Sequence, residues 1–183
     1  MAHSNYFYAV KLPDAAKQYI QDVFKKSGDH LPFKKWVHPA DYHITLAFLG
    51  KADELKLEES INKAADIARK RKPFELMLDG VGTFGPVSAP RILWAGVKAV
   101  PELFELQQAV YSACEESGFS LDKKSFKPHI TTARKYTGDE KFFKENLPML
   151  GEFIFTADRF TLYKTNMGES PSYETVYDFA LIE

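Results

Sequence analysis

Cysteine is almost missing from this 183-residue chain, in which Cys114 stands alone. One thiol cannot build a disulfide framework within the chain, and a zinc site made of several cysteines is excluded, so a reducing compartment is expected. An excess of one charge is missing as well. The 24 Lys and Arg against 25 Asp and Glu leave a formal net charge of -1, whereas proteins that track along duplex nucleic acid normally carry a basic balance. Any nucleic-acid partner is therefore expected to be met at its end. Long apolar runs are absent too. Stretches such as Ile92-Leu93-Trp94-Ala95-Gly96-Val97 fall far short of the roughly 20 residues that span a bilayer. Met1 to Asn5 offers neither the basic region nor the apolar stretch of a signal peptide. These absences point to a soluble, cytoplasmic protein with no membrane partner, read here as a monomer. No Pro-rich or low-complexity linker divides the chain, so residues 1–183 are expected to form one domain.

What is present is apolar and aromatic. Hydrophobic residues make up 45% of the chain, with 15 Phe and 9 Tyr, enough to fill a core and to argue against disorder. The run Tyr6 to Val10 reads as a buried strand. A helix should follow from a cap at Asp14 to a stop at Ser27-Gly28, with Ala16, Ile20, Val23 and Phe24 on one face. The segment His30 to Ala40 reads as a connection. A charged amphipathic helix is expected from Asp53 to Lys70, its stripe formed by Leu57, Ile61, Ala64 and Ala68. Pro73 then opens a strand, Phe74 to Leu78, which runs into Gly80, Gly82 and Gly85.

The pattern then repeats. An offset of 86 carries His43 to His129, Tyr8 to Trp94, Ile20 to Leu106 and Phe24 to Val110. The second half should hold a strand from Arg91 to Lys98 and a helix from Pro101 to Gly118 striped by Leu103, Leu106, Val110 and Cys114. Beyond the histidines the offset becomes 79, aligning Phe74 with Phe153, Asp79 with Asp158 and Phe84 with Tyr163. That shortening implies a small helix around Asp139 to Leu147. A last strand is expected from Tyr173 to Leu181. The whole predicts an α+β fold: a bilobal, pseudo-two-fold duplicated fold with mainly antiparallel sheets flanked by helices and a central cleft, its repeat covering about residues 5–85 and 90–183.

Within that repeat, Asp41-Tyr42-His43-Ile44-Thr45-Leu46-Ala47-Phe48-Leu49-Gly50 returns in altered form as Lys127-Pro128-His129-Ile130-Thr131-Thr132-Ala133-Arg134. Alternation along a strand puts His43 and Thr45 on one face and Ile44 and Leu46 on the other. The second motif does the same with His129 and Thr131. An imidazole titrates near neutrality, so two of them can serve as acid and base at once. Each threonine sits about 7 Å further along the same face, where its hydroxyl can donate to an oxygen held between the histidines. The target implied is a small tetrahedral anion approached from both sides, and a phosphodiester fits. No metal is called for: each motif supplies one ligand and no Cys or acidic partners accompany it.

These residues resemble the 2H phosphoesterases, named for two His-x-Thr/Ser-x motifs, and most closely the bacterial RNA 2′,3′-cyclic phosphodiesterases, also called 2′-5′ RNA ligases. The resemblance rests on His43 to Gly50 and Pro128 to Arg134, supported by Trp36-Val37, Phe84-Gly85, Arg91-Ile92-Leu93-Trp94, Leu162-Tyr163 and Tyr173. Thr132 departs from it, since an apolar residue is more usual there, and Thr165 stands where serine is common. The resemblance implies hydrolysis of RNA or nucleotide 2′,3′-cyclic phosphates to 2′-phosphomonoesters without cofactor or metal. His43 would be the acid to the leaving ribose oxygen, His129 the base to water, and Arg134 a phosphate contact beside Thr45 and Thr131. Other outcomes stay open: action on 2′-5′-linked oligonucleotides or another cyclic phosphate, or a module that binds a nucleotide end without turnover. Lys34, Lys35, Lys123 and Lys124 precede the motifs and either rim the cleft or are simply solvated. Trp36 and Phe48 are candidates for base stacking or for the core. His3, His30 and His38 have no partners by spacing and read as surface residues.

Overall fold

The computed structural model describes residues 4–27 and 31–182. Nine strands and three helices follow one another as β1 (Tyr6–Lys11), α1 (Asp14–Ser27), β2 (Phe33–Trp36), β3 (His43–Gly50), α2 (Glu54–Arg69), β4 (Phe74–Phe84), β5 (Ile92–Val97), α3 (Pro101–Glu116), β6 (His129–Tyr136), β7 (Ile154–Ala157), β8 (Arg159–Thr165) and β9 (Tyr173–Ala180) among the described residues. Every strand pairing is antiparallel. The strands form two sheets, ordered β3-β1-β8-β9 and β2-β6-β5-β4-β7, so the fold is α+β as the sequence indicates. Among the described residues no helix is long and apolar enough to cross a membrane.

The sheets do not coincide with the halves of the sequence. β1, which pairs with β3 of its own half, also pairs with β8 of the second half, while β5, which pairs with β6 of its own half, also pairs with β4 of the first. The exchange happens where the starts of the two equivalent strands meet, Phe74 opposite Ala157 and Met77 opposite Ile154. The stretch aligned at the offset of 79 is consequently two strands, β7 and β8, in different sheets. β1 and β5 also correspond at an offset of 85 rather than 86. Ala9 lies opposite Thr45 and Trp94 opposite Thr131, and a slip of one residue swaps faces. Tyr8 accordingly points into the core, its hydroxyl 2.8 Å from Ser60 Oγ on α2, whereas Trp94 sits 6.4 Å from the His129 ring.

Helix expectations hold where a long apolar stripe supports them. α2 is capped by the Asp53 carboxylate, which accepts from Leu55 N at 3.1 Å and Lys56 N at 3.3 Å, and Ala64 and Ala68 are buried. α3 starts with Pro101 and buries Leu103, Leu106, Val110 and Cys114. In α1 the carbonyl of Pro13 accepts the first amides, so Asp14 lies inside the first turn instead of capping it. The helix expected over Asp139 to Leu147 does not form. Only one 3-10 turn, Lys144–Asn146, is present. So short a segment cannot repay helix nucleation by itself, and its one buried anchor, Phe142, packs on Phe33 and Tyr136.

Two further differences bear on the site. The connection from His30 to Ala40 contains β2, the edge strand beside β6. β4 runs on through its glycines: Gly80, at φ +71, takes the irregular step between Leu78 and Val81, a strand position where glycine relieves the backbone. A Cβ on Gly82 would collide with the Trp94 ring. One large core joins both sheets and all three helices, and a small second cluster of Phe7, Ala9, Tyr163 and the half-buried Tyr173 lies apart from it.

Candidate active site

His43 opens β3 and His129 opens β6, and the chain holds both rings in the same way. The Nδ1–H of His43 donates to the Asp41 carbonyl at 2.6 Å, and that of His129 to the Lys127 carbonyl at 2.6 Å. A carbonyl only accepts, so Nδ1 carries the hydrogen in each ring and Nε2 is left for chemistry. Nε2 of His43 is 3.0 Å from Thr45 Oγ1. Thr131 occupies the matching place on β6, opposite Trp94.

Aromatic rings wall each imidazole. His43 lies 4.9 Å from Phe7, 5.2 Å edge-on from Tyr173 and 6.2 Å from Tyr163. His129 meets Phe84 edge-on at 4.8 Å. Both residues are half-buried, and His129 lines the cleft. Desolvation nonetheless dominates their titration. It pulls His43 down to about 4, against the raising effect of the Asp41 carbonyl and carboxylate, with Arg134 and His129 adding to the fall. It also lowers His129, against the Lys127 carbonyl and together with Arg134. Arg134 therefore stands within electrostatic reach of both histidines, and His129 within reach of His43.

Asp41 joins the site without having been among its expected residues. Its carboxylate is buried, at 6% exposure, and accepts from the backbone amides of Ser172 at 2.7 Å and Tyr173 at 3.2 Å. It thereby docks the start of β9, and Tyr173 with it, against His43. The signal was its place two residues before the histidine, where the second motif has Lys127.

The cleft beside the histidines has a volume of about 1070 Å³, with Thr45, Phe48, Phe84, Ile92, Lys127 and His129 among its lining. Phe48 is thus a cleft residue, 56% exposed. Trp36 is not. It is 38% exposed, pairs with Ala133 of β6, and faces Phe24 of α1 at 6.3 Å in a separate hollow. Lys124 borders the cleft while paired with Asp122 at 2.8 Å. Lys35 lies directly opposite Arg134, and Lys34 and Lys123 are exposed. The hydroxyl of Thr132 points inward and donates to the Leu93 carbonyl at 3.2 Å, which accommodates a polar residue at a core position. His38 accepts from Ala40 N at 3.1 Å and caps a short turn. His3 and His30 lie outside the described residues. Cys114 is buried, which pushes its thiol up to about 12 and leaves it no role as a nucleophile.

Comparison with known proteins bears on the family and the fold. The sequence profile of the family described as LigT like Phosphoesterase matches residues 10–94 and 97–173. A protein of Geobacillus stearothermophilus named RNA 2′,3′-cyclic phosphodiesterase is 46% identical over 184 residues, which is 100% of this chain but 59% of that protein's length. A Bacillus subtilis protein of the same name is 36% identical over 97% of this chain and 96% of its own. Among solved structures, one from Thermus thermophilus is similar with a TM-score of 0.80 at 26% identity, over 97% of each chain. E. coli LigT complexed with 3′-AMP shares the fold, with a TM-score of 0.80 at 24% identity over 98% of this chain and 99% of that one.

Proposed function

Because this chain belongs to the LigT like phosphoesterase family, we propose that it hydrolyses the 2′,3′-cyclic phosphate of an RNA end or nucleotide to a 2′-phosphomonoester, using His43 as acid and His129 as base. The observation that carries this reading is the matched pair of Nδ1–H···O=C bonds at 2.6 Å, which leave two Nε2 atoms of one tautomer for the same anion. Water attacks phosphorus and gives its proton to His129 Nε2. The P–O3′ bond breaks and O3′ takes the proton of His43 Nε2, so one new P–O bond replaces one lost. Thr45, Thr131 and Arg134 donate to the phosphoryl oxygens, where a guanidinium is well matched to the charge.

The division of labour is the one the family resemblance implies, and the residue two positions before each histidine differs in the same sense. Asp41 puts a carboxylate near His43 and favours its imidazolium, while Lys127 occupies that position before His129. In the free cleft desolvation outweighs Asp41 and holds His43 neutral. A bound phosphodiester anion supplies the missing counter-charge. The test is a substrate analogue whose leaving group needs no proton. His43→Ala should regain most of its loss on that analogue and His129→Ala should not, since water still needs its base. Equal rescue of both variants, or a 3′-phosphate product from the wild type, would show the roles to be assigned wrongly.

A further inference from the structure

The cleft does not stop where one nucleotide would end. A second hollow of about 910 Å³ shares Gln107, Tyr111, Lys124, Ser125 and Phe126 with it and continues across α3 towards Phe104, Lys123 and Arg71. A pocket for one small ligand falls between roughly 300 and 1,000 Å³, a volume the first hollow already supplies.

Aromatic faces mark the route. Phe48 is 56% and Phe104 39% exposed, and Phe104 meets Phe126 edge-on at 5.3 Å. Cations accompany them: Lys127 near the histidines, then Lys124, then Lys123 and Arg71. Of the two acids in the lining, Asp122 is held by Lys124, and Glu105 stands opposite this excess of positive charge. Exposed rings interleaved with lysines are what a single-stranded nucleic acid requires, one for base faces and the other for phosphates. Gln107 donates to the Leu46 carbonyl and Gln108 to Ser112 Oγ, so one N–H of each amide is occupied, and the exposed rings offer base contact by stacking.

We propose, building on the cyclic-phosphate reading of the histidine pair, that this groove holds the single strand leading up to the reactive end, so that the preferred substrate is an RNA chain and not a mononucleotide. The groove takes its bases with little regard to sequence.

The test compares kcat/KM on a 2′,3′-cyclic mononucleotide and on a tetranucleotide ending in the same cyclic phosphate, for the wild type, Phe104→Ala and Lys123→Ala, over a range of salt. The wild type should favour the tetranucleotide. Phe104→Ala should cut the tetranucleotide rate about tenfold, the loss of one stacked base. Lys123→Ala should flatten the salt dependence by about 0.7 in logarithmic slope, the share of one phosphate on a single strand. Neither should change the mononucleotide rate. Equal wild-type rates on both substrates would overturn the proposal and leave the catalytic reading standing. A loss shared by both substrates in the variants would make the groove structural and overturn it as well. So would a tetranucleotide-specific loss in Lys35→Ala alone, which would send the strand over the β2–β6 edge instead. Failure of the wild type on both substrates would instead overturn the cyclic-phosphate reading, and this proposal with it.

Discussion

At His43, desolvation and the Asp41 carboxylate act in opposite directions, and desolvation wins, taking the ring to about 4. His129 also titrates below its usual range. The mechanism needs one ring protonated and the other neutral. In the free enzyme activity is lost at low pH as the base takes a proton and at high pH as the acid loses one, and both limbs lie below the ordinary value near 6.5. The kcat/KM profile should therefore be a bell centred on the acid side of 6.5, its limbs belonging to the pair. The sequence alone, working from unperturbed imidazoles, would centre it near neutrality. The kcat profile should sit higher, because a bound phosphodiester favours both imidazolium forms. An optimum of kcat/KM at pH 7 or above would contradict the buried-pair picture. Arg134→Ala removes a charge-assisted contact worth about 1.5–3 kcal/mol, so kcat/KM should fall about tenfold to a hundredfold with KM raised. Wild-type kinetics in that variant would place Arg134 outside the site.

Among the elements, β9 pairs with β8 along its length, and a side chain from the other half of the sequence pins its start. The Asp41 carboxylate accepts two amides at its start, and this sets Tyr173 edge-on to His43. Asp41→Ala would leave two half-buried N–H groups without that acceptor, at a cost of about 2–4 kcal/mol. Thermal unfolding should show a lower Tm, and turnover should fall further than the stability loss accounts for, since the wall of His43 moves with β9. Asp41→Asn, which keeps an acceptor oxygen but no charge, should recover most of the Tm while its kcat/KM limbs shift. An Asp41→Ala variant as stable and active as the wild type would remove the clamp from the account.

For the molecule as a whole, the exchange of strands between halves brings β3 and β6 together, and in the proposed mechanism the chain supplies acid, base and anion donors by itself. Full turnover is accordingly expected in excess EDTA. Activity lost to the chelator and restored by zinc or magnesium would show that a metal carries part of the chemistry.

The motif itself was legible in the residues, because strand alternation is local: His43 with Thr45 and His129 with Thr131 share faces by period alone, whatever surrounds them. The long helices were legible for the same reason, each stripe being written within one segment. The short helix after β6 was not, since its length left the outcome to Phe142 and its distant partners. Tertiary structure alone decided the rest. That Asp41 would reach Ser172 and Tyr173, that β8 would join β1 while β4 joined β5, and that Trp94 would stand by His129 while Tyr8 turned to the core all depend on contacts far apart in sequence or on a register shifted by one residue. A local pattern fixes neither.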